Sequence, residues 1–145
     1  MKISTKGRYG LRTLMDIAVH QTKGPVNLND IAERQGISAK YLWQIVNLLK
    51  TAGFVRGTRG PKGGYVLLLN PSEISLLDVI QTLEGPISLV ECVDDPTFCT
   101  RMANCVAHSV WEEVSQSIRG ALRKITLAEI LRRHAGAENT GQYVI

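Results

Sequence analysis

The chain has 145 residues, 44% of them hydrophobic, and a net charge of +4, which fits one small globular unit with an appended element. No apolar run is long enough to span a membrane, and MKISTKGRYG has neither an apolar signal core nor a cleavage site, so a reducing cytoplasmic setting without membrane partners is expected. Residues 1–70 carry eleven Lys/Arg against three Asp/Glu, a net of +8, while residues 71–145 carry six against ten, so the N-terminal half suits a polyanion.

Leu11, Leu14, Met15 and Ala18 share one stripe of a first helix over roughly Gly7 to Gln21. Lys2, Lys6, Arg8 and Arg12 decorate its start and can lie along a phosphate backbone. Lys23-Gly24-Pro25 interrupts the chain, and Asn27 caps a second helix with Leu28, Ile31 and Ala32 inward. Gly36 ends that helix, and Ser38 caps a third that runs to about Ala52. Helix, glycine turn and Ser-capped helix are the parts of a helix-turn-helix.

Leu42, Ile45, Val46 and Leu49 form the buried stripe of the third helix, with Lys40, Trp43, Gln44 and Asn47 on the opposite side. Gln and Asn pair with adenine edges, and Lys reaches a guanine edge or a phosphate. An ordinary wet helix face would account for three of those four, but an exposed indole among basic residues implies a partner. Ser38 and Tyr41, at the helix start, belong to the same candidate surface. Phe54–Thr58 and Tyr65–Leu69 read as two strands joined by Arg59-Gly60-Pro61-Lys62-Gly63-Gly64. Such a basic glycine-rich tip after a recognition helix is a wing, with Arg59, Gly60 and Lys62 reaching a minor groove or phosphates. It is not a phosphate-binding P-loop, because the lysine motif is missing and a strand follows instead of a helix.

Ser75 or a neighbour starts a further helix on Leu76, Leu77, Val79, Ile80 and Leu83, which ends at Gly85-Pro86. All three cysteines then fall within CVDDPTFCTRMANCVAH: six residues separate Cys92 from Cys99, five separate Cys99 from Cys105, and His108 follows. Three thiolates and an imidazole form a four-ligand set for a soft metal centre. With Asn104 as N-cap, a helix would start at Cys105 and place Cys105 and His108 on one face. The odd cysteine count excludes a closed disulfide framework within one chain. Structural zinc prefers tighter C-x2-4-C knuckles; zinc, a thiol redox switch and no centre at all remain rivals to an iron–sulfur cluster.

Beyond the loop, Ala107, Trp111, Val114, Ile118, Ala121 and Ile125 step by four and three, the seam of a long helix packed along a partner helix. A symmetric dimer would cover it; an intrachain core helix is the alternative. A short helix from Thr126 to about Arg133 is expected last, with residues 134–145 as a loose tail. The expected organisation is a DNA-binding region at 1–70, a connecting helix at 71–91, a cysteine loop at 92–108, dimerisation and terminal helices at 105–133, and the tail. The fold class is mainly α with a small β wing: a winged helix-turn-helix plus a long dimerisation helix. No small-molecule substrate is expected, and His20 and His134 lack a nucleophile or paired carboxylates at suggestive spacing, so no enzyme is indicated.

The segments MKISTKGRYGLR, YLWQIVNLLKTAGFVRGTRGPKGGY, LEGPISLVEC, CVAHSVWEEV and ITLAEIL resemble the IscR-like family of winged-helix transcription regulators over about residues 1–133. The family includes IscR, NsrR, RirA and the cluster-free CymR. The resemblance implies a homodimer on palindromic promoter DNA, with one iron–sulfur cluster per subunit held by Cys92, Cys99 and Cys105. The closing C-x-x-H is the IscR form, which implies His108 as fourth ligand and a [2Fe–2S] cluster sensing cluster, iron or redox status. NsrR-type nitric oxide sensors, with [4Fe–4S], use an acidic ligand near the first helix, where this chain has Arg8 and Arg12. Two departures stand out: the first cysteine gap is one residue longer than in IscR, and Trp43 replaces a common Glu. A cluster-free thiol or cysteine-metabolism regulator, an NsrR-like nitric oxide sensor with a [4Fe–4S] cluster and a small electron-transfer protein are the other readings.

Overall fold

Ser4 caps the first helix, α1 (Thr5–His20), and residues 1–141 are described by the computed structural model. A 3-10 turn (Gln21–Lys23) leads to α2 (Leu28–Gln35), where the Asn27 side chain accepts the Asn29 N–H at 2.8 Å. Gly36 closes α2 at φ 65°, a left-handed conformation that glycine adopts without penalty. The Ser38 Oγ then accepts the Tyr41 N–H at 3.1 Å and starts α3 (Ala39–Thr51). Each cap supplies an acceptor to first-turn amides that otherwise have none.

β1 (Val55–Thr58) and β2 (Gly64–Leu67) form the antiparallel wing, Val55 opposite Leu67 and Thr58 opposite Gly64. Val26 bridges to Tyr65, pinning the hairpin to the segment before α2. The strands are shorter than predicted at both outer ends. Phe54 precedes β1 and is buried in the core, and Leu68 and Leu69 leave the ladder ahead of the capped turn Pro71–Glu73.

Ser75 starts α4 (Leu76–Glu84), and Gly85 ends it. A four-residue helix, α5 (Glu91–Asp94), and a 3-10 turn (Met102–Asn104) carry the cysteine loop to α6 (Val106–Lys124). Cys105, not Asn104, caps α6, because Asn104 lies inside the preceding turn. The last helix, α7 (Leu127–Asn139), outruns its expected end at Arg133 by six residues. His134, 6% exposed, is buried along with Leu127, and that burial keeps the helix going. The expected loose tail is therefore helical as far as Asn139, and its residues 142–145 lie outside the described ones.

The main core joins Leu14 and Ile17 of α1, Ile31 of α2, Leu42, Ile45 and Leu49 of α3, and Phe54, Ile74 and Leu127. A smaller cluster of Leu77, Ile80 and Ile87 takes Ile118 and Leu122 of α6 against α4. The wing and the helix-turn-helix thus rest on one core, and α6 is attached to them through α4.

Candidate nucleic-acid interface and cysteine loop

Asp16 of α1 ties that helix to the first helix of the helix-turn-helix. Its carboxylate is fully buried and accepts Arg34 Nε at 3.0 Å, Arg34 Nη2 at 2.7 Å and Gln35 Nε2 at 3.0 Å. The hydrogen bonds that Arg34 donates to Asp16 hold its guanidinium above the ordinary pKa. α2 is thereby locked to α1, and α3 follows from the glycine turn.

On α3, Leu42, Ile45, Val46 and Leu49 face the core, while Lys40, Trp43 and Gln44 are exposed and Asn47 is half-buried. The Trp43 indole is 54% exposed. Tyr41 turns back, its ring meeting Tyr9 of α1 edge-on at 6.4 Å, and Arg12 lies over the Tyr9 ring at 5.4 Å. That contact sets the basic start of α1, with Lys2 and Arg8 exposed, beside the start of α3. Arg59, Gly60 and Lys62 project at the wing tip, where Gly60 takes φ 109°. An open cleft of about 700 Å3 between α2 and the wing is lined by His20, Lys23, Arg34 and Lys62 among others.

In the cysteine loop, Cys92 lies on α5, Cys99 follows it, and Cys105 caps α6; all three thiols are free and half-buried. Cys105 Sγ accepts the His108 backbone N–H at 3.4 Å. His108 Nε2 lies 3.0 Å from the Cys92 carbonyl oxygen, drawing the two ends of the loop together. Cys99 does not complete a cage: among the described residues no three Cys, His, Asp or Glu side chains converge on one metal position. The donor set suits a soft metal in kind and number, and the His108 ring can hold the Cys92 carbonyl through one nitrogen while offering the other as a donor.

A family model described as "Rrf2: Iron-dependent Transcriptional regulator" matches residues 3–133. The chain belongs to the Rrf2 family. It is a transcriptional regulator of that family and not an enzyme. Protein rrf2 of Nitratidesulfovibrio vulgaris (strain Hildenborough) is 41% identical over 132 residues, 91% of this chain and 88% of its own. The solved structure of IscR from T. potens is similar at 41% identity and TM-score 0.74, covering 92% of this chain and 88% of that one. CymR, the global cysteine regulator of B. subtilis, is similar at 36% identity and TM-score 0.76, covering 92% and 98%.

In this Rrf2-family chain, the seam expected along α6 divides between two faces. Ile118 packs on α4 with Leu122, and Ser115 is fully buried, so this side of the helix is used within the chain. Val106 (79% exposed), Val110 (48%), Trp111 and Val114 form an adjoining apolar strip open to solvent. Ala107 and Ala121 are also exposed, and Ile125 is half-buried at the helix end.

Sequence reasoning missed the polar links among these elements. Arg119 Nη1 donates to the Ile87 carbonyl at 2.9 Å, and Leu89 N–H to Ser115 Oγ at 3.3 Å, tying the loop entrance to α6. Glu84, at the end of α4, accepts from the first turn of α1. Although burial pushes the Glu84 carboxyl up, hydrogen bonds from Ser4 and Gly7 and the charge of Lys6 bring it below the ordinary range. Partners so far apart in sequence leave no local pattern.

Proposed function

We propose that this regulator is a cytoplasmic homodimer that binds palindromic operator DNA under the control of an iron–sulfur cluster, [2Fe–2S], held by Cys92, Cys99, Cys105 and His108. The observation that carries the cluster assignment is a loop with three free, half-buried thiols whose two ends meet at His108. The chain's likeness to IscR relatives supports it. When bound, the cluster would make the conformation of this loop sensitive to iron supply and oxidation.

The chain's own residues carry the rest. The exposed face of α3 enters a major groove, with Gln44 and Asn47 at adenine edges and Lys40 at a guanine or a phosphate. Arg59 and Lys62 of the wing, and Lys2, Lys6 and Arg8 of α1, bind phosphates or the minor groove. A second subunit, packed on the open strip of α6, sets the half-site spacing. Movement of the loop reaches α6 through Ser115 and Arg119, and so shifts one reading head against the other.

Oxygen-free purification followed by absorption spectroscopy and iron and sulfide assays tests the cofactor. His108→Ala is expected to fold normally and lose its chromophore faster; an unchanged lifetime would remove His108 from the ligand set. Gln44→Ala and Arg59→Ala are expected to reduce operator discrimination in mobility-shift titrations.

A cluster-free thiol or cysteine-metabolism regulator is the second reading. It is favoured by the likeness to CymR. Colourless, iron-free protein from oxygen-free preparations would decide for it.

A further inference from the structure

The first turn of α1 is capped from another helix. Ser4 is the N-cap by position, but its hydroxyl reaches the Gly7 N–H only at 3.4 Å. Glu84 Oε1 does better, accepting the Gly7 N–H at 2.9 Å, the Ser4 N–H at 3.1 Å and the Ser4 hydroxyl at 2.5 Å. An ionised acceptor at a helix N-terminus answers both the open amides and the helix dipole.

Two glycines admit this contact. A Cβ on Gly7 would lie 2.4 Å from Glu84 Oε1, and one on Gly10 would lie 2.0 Å from Leu83 Cδ1. Leu83 and Glu84, neighbours at the end of α4, therefore seat directly against the start of α1. That start carries exposed Lys2 and Arg8 and half-buried Lys6, and the Tyr9–Tyr41 contact places it beside the recognition helix. On its other side Glu84 precedes Gly85 and the segment whose Ile87 and Leu89 are bonded to α6, ahead of Cys92.

We infer that Glu84 is a positioning residue for DNA binding: it holds the basic end of α1 against the phosphate backbone and joins it to the segment entering the cysteine loop. This inference rests on the DNA-binding reading above. A frayed first turn would leave Lys2, Lys6 and Arg8 attached to a mobile end. Ordering them on DNA would then cost conformational entropy at each encounter.

The test uses the full chain and a labelled non-specific duplex, with binding followed by anisotropy across a salt series. Each phosphate contact contributes about 0.9 to the slope of log affinity against log salt. Glu84→Ala is expected to lower that slope by about 2, a loss of roughly two contacts, while unfolding cooperatively. Amide exchange at Ser4 and Gly7 should quicken at least tenfold. Glu84→Gln keeps one acceptor oxygen and should fall between; it also carries the test if Glu84→Ala does not fold. A purely structural role would lower the melting temperature and leave the slope in place, and that outcome overturns the inference. So would amides at Ser4 and Gly7 that exchange as slowly as in the parent. If the parent chain itself showed no salt-dependent binding, the DNA-binding reading would fail and take the inference with it.

Discussion

Asp16 is a fully buried charge, and its surroundings explain why it is tolerated. Three donors from Arg34 and Gln35 converge on it from the neighbouring helix, so burial is matched by paired, hydrogen-bonded charge. Asp16→Ala would leave the guanidinium and the Gln35 amide without their acceptor. Because the Arg34 side chain is 31% exposed, water recovers part of the loss, and a destabilisation of about 2–3 kcal/mol is expected. Urea denaturation measures it, and a change of a few tenths would show that the pair does not brace the helix-turn-helix. Cys105 shows the same economy of placement: it caps α6 and is also a candidate ligand, so its replacement should affect the helix start as well as any metal.

At the scale of elements, the contact of α1 with α4 depends on the absence of two side chains. The methyl group of Gly10→Ala would have to displace Leu83, which is buried and has little room to move. Overpacking of this kind costs about 1–3 kcal/mol. Thermal unfolding should show that loss, and DNA affinity should weaken with it because the start of α1 is pushed off Glu84. An unaltered melting temperature would mean that the two helices separate freely. The helix starts at Asn27, Ser38 and near Ser75 and the glycine stop at Gly36 were legible in the sequence, because capping is decided within a few residues, whereas α1 starts at Ser4, ahead of its expected start near Gly7. The start of α6 was not, since Asn104 and Cys105 both suit a cap and the 3-10 turn decides between them.

For the whole molecule, the proposed dimer would use the open strip on α6 to set the spacing of its two reading heads. Val110 and Val114 lie one turn apart on it, outside the intrachain contact made by Ile118 and Leu122. Val114→Glu would place a charge in the proposed dimer interface while leaving the α4 contact intact. Sedimentation is expected to show a monomer, and operator affinity should fall about 100-fold as the second half-site is lost. A variant that remained dimeric would move the interface elsewhere.

The local grammar of this chain came from its sequence alone: a basic winged helix-turn-helix, a connecting helix, a cysteine loop and a long helix with an apolar seam. Caps, turn glycines and hydrophobic period act over one or two turns, so their meaning travels with the residues. Only the tertiary structure decided which side of that seam is taken within the chain, since periodicity reports that a face is apolar but not what covers it. It also extended α7 past Arg133 through the burial of His134. And it brought Glu84 to the start of α1 across nearly eighty residues, a contact specified by packing in three dimensions and by no pattern along the chain.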